Sequence, residues 1–299
     1  MMLKNFGQME QFVREQSGKK RVALAAAHDA DALGSLMMAV DRGIAEAILI
    51  GRRKEIVRVL DEMGKDAGDF RIIEEEDDRA AADKAVELVH CGEADMPMKG
   101  LMHTSTFMKA ILDKEKGLKE DGNLLSQASV FEIPEKDRFL IISDCAVNID
   151  PDLETKIKIT ENAAALAHTL GIEQPKIAVL SAVEVVNPKI RSTVDAAAMR
   201  ERLSDRYLID GPLALDNAID EAAPHHKGIE SPVAGNADIL IVPDLWSGNI
   251  FSKGLVFFAH LRSAGTLNGL KAPVVMSSRT DTVENKYLSI LTAVLQTIR

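Results

Sequence analysis

Short apolar runs alternate with longer stretches of helical period along most of the chain. Arg21–Ala26, Ala47–Gly51 and Phe70–Ile73 read as buried strands, separated by helical patterns over Ala32–Arg42, Lys54–Met63 and Ala80–His90. The rhythm resumes with strand-like runs at Phe139–Ile142, Ile177–Leu180, Ile239–Val242 and Pro273–Met276. Helical patterns cover Leu153–Thr169, Ser192–Leu203, Ile250–Arg262 and Thr282–Ile298. Continuous apolar runs of this length, rather than alternating ones, predict a mostly parallel sheet covered by helices on both faces. The pattern predicts an α/β protein, and no change of composition, Pro-rich linker or solenoid repeat marks a domain boundary.

Two common phosphate signatures are missing. No strand leads into Gly-x-Gly-x-x-Gly, and no Gly-x-x-x-x-Gly-Lys-Ser/Thr is present, which argues against dinucleotide-fold dehydrogenases and P-loop kinases. The formal net charge is -10 over 299 residues and aromatics make up 4%, so the broad basic surface of a nucleic-acid binder is not expected. The longest apolar runs are far below the roughly 20 residues that cross a bilayer. Met1–Asn5 has no secretory character, and two cysteines make no disulfide framework, so a cytoplasmic protein is expected. An acidic chain that handles polyanions must gather its positive charge locally.

Three loops are suited to that task. Pro273–Met276 delivers Ser277-Ser278-Arg279-Thr280-Asp281 to the start of a helix, where free amides and the helix dipole favour an anion and Arg279 can grip it bidentately. The plainer reading makes Ser278 a turn residue and Arg279 a surface charge. Glu284 has two readings: a general base, or the partner of Asp281 in a reciprocal N-cap, which the Asp281-x-x-Glu284 spacing favours. The second loop, Lys99-Gly100-Leu101-Met102-His103-Thr104-Ser105, holds several phosphate-binding side chains, although Thr104 or Ser105 equally suits an N-cap. The third, around Gly248, Asn249 and Lys253, again stands where a helix is expected to begin. His225-His226 lacks the spacing of a metal site. Asp29 and Asp31 suit helix caps, and the acidic run Glu74–Asp78 suits a solvated turn.

In order and spacing, these segments resemble the phosphate acetyl/butyryl transferase family, most closely its butyryl branch. The resemblance rests on Met98-Lys99-Gly100-Leu101, Leu125-Ser126, Ser143-Asp144 with Asn148, Pro151-Asp152-Leu153-Glu154 and Asn187-Pro188-Lys189. It continues through Asp210-Gly211-Pro212-Leu213-Ala214, Lys227-Gly228-Ile229, Pro243-Asp244 with Gly248-Asn249 and Lys253, and Ser278-Arg279. It implies two α/β/α domains with a cleft between them, in the isocitrate/isopropylmalate dehydrogenase-like fold. Residues 1–135 plus 268–299 would form the first domain and 136–267 the second. It also implies transfer of a short acyl group, butyryl or branched-chain and possibly acetyl, between coenzyme A and phosphate. No metal or nicotinamide is expected; coenzyme A is a substrate, and a homodimer or larger homo-oligomer is expected. Ser278 and Arg279 inherit catalytic roles, with Glu284 as the carboxylate next to the family's acidic position, which is Asn285 here. Lys99, Gly100, His103, Thr104, Ser126, Gly248, Asn249 and Lys253 inherit phosphate or coenzyme A binding. Other departures are Lys109 where the family often has Arg, and Gln127 where the butyryl branch tends to have His. The competing readings are a non-catalytic acyl-CoA-binding homologue and a dehydrogenase of the same fold superfamily.

Overall fold

A computed structural model describes residues 1–16 and 18–299. The chain packs as two compact units, one made of Phe6–Asn123 with Ala264–Arg299, the other of Met1–Asn5 with Leu124–Ser263. They are called here the terminal and the central unit.

The terminal unit opens with α1 (Phe6–Glu15), then β1 (Lys20–Ala25), α2 (Ala30–Asp41), β2 (Ala45–Gly51), α3 (Arg53–Glu62) and β3 (Arg71–Glu74). It continues with α4 (Asp78–His90), β4 (Met96–Lys99) and α5 (Thr104–Ile111). Its strands run parallel in the order β3-β2-β1-β4. Aspartates set the helix starts. Asp29 accepts from the Asp31 and Ala32 amides, and Asp77, at the end of the acidic run, accepts from Ala80.

The central unit holds β5 (Ser126–Ile133), β6 (Arg138–Ser143), α6 (Leu153–Thr169), β7 (Lys176–Leu180), α7 (Arg191–Leu203) and β8 (Leu208–Leu213). The short helices α8 (Leu215–Ile219) and α9 (Ala222–His226), then β9 (Ile239–Ile241) and α10 (Leu245–Phe257), complete it. Its strands lie in the order β5-β6-β9-β7-β8. Only β5 is antiparallel, turning back on β6 through the Pro134–Lys136 turn. Phe131, Leu140, Ile142, Leu180, Leu240 and Val242 form the heart of its core. Leu3 is docked here: it is 1% exposed and its amide donates to Leu170 O at 2.9 Å.

The chain then returns to the terminal unit with β10 (Ser263–Asn268) and α11 (Val283–Gln296). Every residue of α11 from Asn285 to Leu295 is buried, and the helix packs on α1 and α2. A polar knot ties these helices: Tyr287 Oη donates to Glu10, Arg42 pairs with the same carboxylate, and Arg42 stacks 4.6 Å from the Tyr287 ring.

Several readings of the sequence differ from the observed elements. The compact units divide at 123/124 and 263/264, where the expected domain boundaries were 135 and 268. Pro273–Met276 is not a full strand. Only Val274 and Val275 make bridges, to Leu267 and Met98, since Pro273 has no N–H to donate. The helix read at Ile250–Arg262 begins at Leu245, where Asp244 caps it by accepting from Ser247 N at 2.8 Å. Strands β4, β5, β8 and β10 and helix α1 were not separated by the apolar pattern. Among the described residues, no helix is long and apolar enough to cross a membrane.

Candidate anion site and the residues around it

In the terminal unit, three extended segments end side by side. Ala25 of β1 is level with Lys99 of β4, and Val275 runs parallel to Met98, with Lys99 N donating to Val275 O at 3.0 Å. Each segment is followed by a helix, so the N-termini of α2, α5 and α11 follow these carboxyl ends. That is where open α/β sheets bind ligands. Gly100 makes the arrangement possible. Its amide donates to Ala25 O at 2.8 Å, and a Cβ there would lie 2.6 Å from that oxygen, a distance side chains do not reach. Ala26 turns out of β1 with φ +53°.

Positive charge gathers here. Lys99 is 5% exposed, and among the described residues its ammonium donates only to the neighbouring Gly100 carbonyl, at 3.3 Å. Burial, then the nearby Arg279 and Lys286, hold its pKa below the ordinary 10.5, against the opposing pull of Asp29 and Asp281. The exposed Arg279 guanidinium lies 3.4 Å from His103 Nδ1. Lys286, 3% exposed, donates to the Asp281 carbonyl. Among the described residues, no carboxylate holds any of these three cations in an ion pair. Buried cations are ordinarily paired, so this grouping is suited to receiving an anion.

The loop that carries Ser278 and Arg279 is a closed turn. Ser278 N donates to the Asp281 carboxylate at 2.7 Å, Asp281 N donates to Ser278 O at 3.2 Å, and the Ser278 and Thr280 hydroxyls lie 3.0 Å apart. The N-cap of α11 is not Asp281, as the Asp281-x-x-Glu284 spacing predicted, but the next residue. Thr282 is the N-cap of α11, its Oγ1 accepting from Asn285 N at 3.1 Å, because the Asp281 carboxylate is engaged by Ser278. Glu284 is exposed on the first turn of α11, and Asn285 is buried. Thr104 is the first residue of α5 rather than its cap. His103 occupies the cap position and makes no side-chain capping bond, so the first amides of α5 lack the side-chain acceptor that α2 and α11 have.

The other assigned residues belong to the central unit. Ser126 is fully buried, and its hydroxyl accepts from Asn162 Nδ2 at 2.9 Å. Gly248 and Asn249 stand inside α10 rather than at its start. A Cβ on Gly248 would lie 2.6 Å from Asp144 O, and Asn249 Nδ2 donates to Cys145 O at 3.1 Å, so both residues seat α10 on the end of β6. Lys253 is exposed one turn further on. The buried Asp144 carboxylate takes the amides of Ala146, Val147 and Asn148 at 2.8, 3.0 and 3.2 Å. Burial pushes the Cys145 thiol up to about 12, which suits a core residue and not a nucleophile.

A cavity of about 620 Å³ lies at the carboxyl ends of β7 and β9. Leu180, Leu215, Pro243 and Phe251 wall it, with the Ser181 and Ser192 hydroxyls 2.8 Å apart. Its cations are already matched: Lys156 pairs with Asp195 at 2.7 Å, and Arg191 lies 3.4 Å from Asp150. Sequence reasoning missed this cavity and also missed Lys286. The only signal for Lys286 was a lysine in a helix with little polar face. His225 and His226 lie in α9, and among the described residues no group of three His, Cys, Asp or Glu side chains is arranged to hold a metal ion.

The sequence and fold both have close relatives. The chain is 45% identical to a phosphate butyryltransferase of Clostridium acetobutylicum, over 98% of each chain. It is 42% identical to a phosphate acetyltransferase of Thermotoga maritima, covering 94% of this chain and 97% of that one. A branched-chain phosphotransacylase from Enterococcus faecalis superposes with a TM-score of 0.83 at 35% identity, over 93% of this chain and 98% of that one. A 4-hydroxythreonine-4-phosphate dehydrogenase from Klebsiella pneumoniae shares the fold at a TM-score of 0.55 and 13% identity, over 92% of this chain and 98% of that one. The model of the phosphate acetyl/butaryl transferase family matches residues 79–294, a span that holds Lys99, Gly100, Ser278 and Arg279, and the chain belongs to that family.

Proposed function

We propose that the protein transfers a short acyl group, butyryl or branched-chain before acetyl, between coenzyme A and inorganic phosphate. The observation that carries this reading is the grouping of Lys99 and Arg279 beside the uncapped N-terminus of α5, with no carboxylate paired to either cation among the described residues. Such a place favours phosphate oxygens, and an acyl phosphate brings them together with a reactive carbonyl.

The reaction divides among the residues as follows. The thiol of coenzyme A, with an ordinary pKa of about 8.5, gives its proton to Glu284 and attacks the acyl carbon. The new S–C bond forms as the C–O bond to phosphate breaks. Arg279, Lys99 and the α5 amides take up the charge that grows on the departing phosphate, while Ser278 and His103 donate to its oxygens. Gly100 and Thr104 line the same place, with Lys253 as a further phosphate or coenzyme A contact and Gly248 and Asn249 seating the helix that carries it; Ser126, fully buried on Asn162, supports the fold and touches no ligand. No metal or nicotinamide takes part.

We also propose a homodimer. Trp246, Ile250 and Phe257 recur along one stripe of α10, exposed by 57%, 72% and 52%, an apolar surface that a second copy of the chain would cover.

The test is thiol release from acetyl-, butyryl- and isovaleryl-CoA with phosphate in EDTA, on the wild type and on Arg279→Lys. Phosphate-dependent release that the substitution cuts by about tenfold to a thousandfold supports the reading. Absence of release with every acyl-CoA would refute it.

A further inference from the structure

Local structure does not explain the placement of Lys286 in the terminal unit. It stands on a helix buried on nearly every side, between Asn285 and Tyr287, and is itself 3% exposed. An ammonium in such a position carries a large desolvation cost, which proteins ordinarily offset with a carboxylate. Here no carboxylate pairs with it among the described residues; its ammonium donates to the main-chain carbonyl of Asp281, and it adds its charge to those near Lys99. A methionine or leucine would fill the same space at lower cost.

The contact shows what the charge is used for. Asp281 closes the turn that carries Ser278 and Arg279, accepting from Ser278 N through its carboxylate and donating its own amide to Ser278 O. Lys286 therefore fastens that turn to α11 at its far end. From this we infer that Lys286 is a positioning residue for the anion site, holding the Ser278–Arg279 turn in place at the expense of the stability of the fold. The inference rests on the phosphate reading of the site.

A lysine retained for function and one retained for stability give opposite results on removal. Lys286→Met keeps the length and volume of the side chain and removes the buried charge. The expected variant melts at or above the wild-type temperature, because replacing an unpaired buried ion by an apolar group is neutral or stabilising. Its turnover falls by about tenfold to a hundredfold, the scale set by misplacing a catalytic group by about an ångström. Its KM for phosphate rises while its KM for acyl-CoA holds. Lys286→Arg, which keeps a donor to Asp281, recovers part of the loss. A Lys286→Met protein that unfolds or melts several degrees lower would make the residue structural and overturn the inference, as would unchanged turnover. Arg279→Lys assayed alongside separates the two levels. If it raises the phosphate KM and Lys286→Met does not, the positioning role fails alone; if neither does, the phosphate reading fails with it.

Discussion

Gly100→Ala is the substitution whose cost is most directly set by the geometry. The added methyl would fall on the Ala26 carbonyl oxygen and within 2.6 Å of the Ala25 oxygen. Both neighbours are backbone, so no side-chain rotation relieves the clash, and the end of β4 must retreat from β1. Two hydrogen bonds span that gap, Gly100 N to Ala25 O at 2.8 Å and Leu101 N to Ala26 O at 3.1 Å. Weakening both in a buried setting costs about 1–2 kcal/mol each, hence about 2–4 kcal/mol together. In a unit of this size that corresponds to a melting temperature lower by about 4–16 °C. Lys99, adjacent in sequence, moves with the strand end, so turnover should fall by about a hundredfold. Differential scanning calorimetry and the thiol-release assay read the two effects. Gly254→Ala is the control: nothing lies within 4 Å of its added methyl, and it should be neutral or gain up to about 1 kcal/mol as a helix-interior alanine. A Gly100→Ala protein that melts with the wild type at full turnover would refute the close-approach argument.

Three further outcomes are expected. Glu284→Gln should lower turnover by about a hundredfold to ten-thousandfold, with a residual rate that climbs with pH as free thiolate becomes available; wild-type turnover and pH profile would remove Glu284 as the base. Lys99→Met should raise stability at neutral pH. Because the Lys99 pKa is lower in the fold than in the unfolded chain, the unfolded state binds the extra proton between the lowered value and 10.5. Wild-type stability therefore gains from Lys99 as pH rises through that window, and a difference between wild type and variant that stays flat with pH would contradict the burial argument. Under native conditions a thiol reagent should label the exposed Cys91 rapidly and leave Cys145 unmodified until the protein unfolds; two rapid equivalents would contradict the burial of Cys145.

The α/β class was legible because buried parallel strands such as Arg21–Ala26 and Ile177–Leu180 are continuous apolar runs. Strand β4 was not, since Pro97 reads as a breaker, yet its carbonyl accepts from Val275 N at 3.0 Å and its ring takes the place of a side chain in the sheet. Strand β5 begins with two buried polar residues: Ser126 takes a hydrogen bond from Asn162, 36 positions away, which only the folded chain supplies, and Gln127 bonds through Nε2 within its own strand. In the site, Lys99, Gly100, Ser278 and Arg279 were legible as local motifs. The capping of α11 was misjudged because spacing alone does not say that Ser278 has already taken the Asp281 carboxylate. Lys286 was passed over because the hydrophobic pattern treats every lysine as solvent-facing.

The division of the terminal unit has a consequence for synthesis. Strands β1 to β4 leave the ribosome early, but α11, which covers α1 and α2, is made only after the whole central unit. The intervening 140 residues, Leu124–Ser263, take about 7–28 s to translate at roughly 5–20 residues per second. During that interval the nascent terminal unit shows the apolar surface reserved for Tyr287, Leu288 and Leu291, while the central unit already has its whole sequence, including Leu3. Folding on the ribosome is thus completed from the middle outward, and the exposed α1–α2 surface is the natural place for a chaperone to hold the chain. Lys99 waits through the same interval for Arg279 and Lys286, so the anion site is not assembled before the central unit has been synthesised.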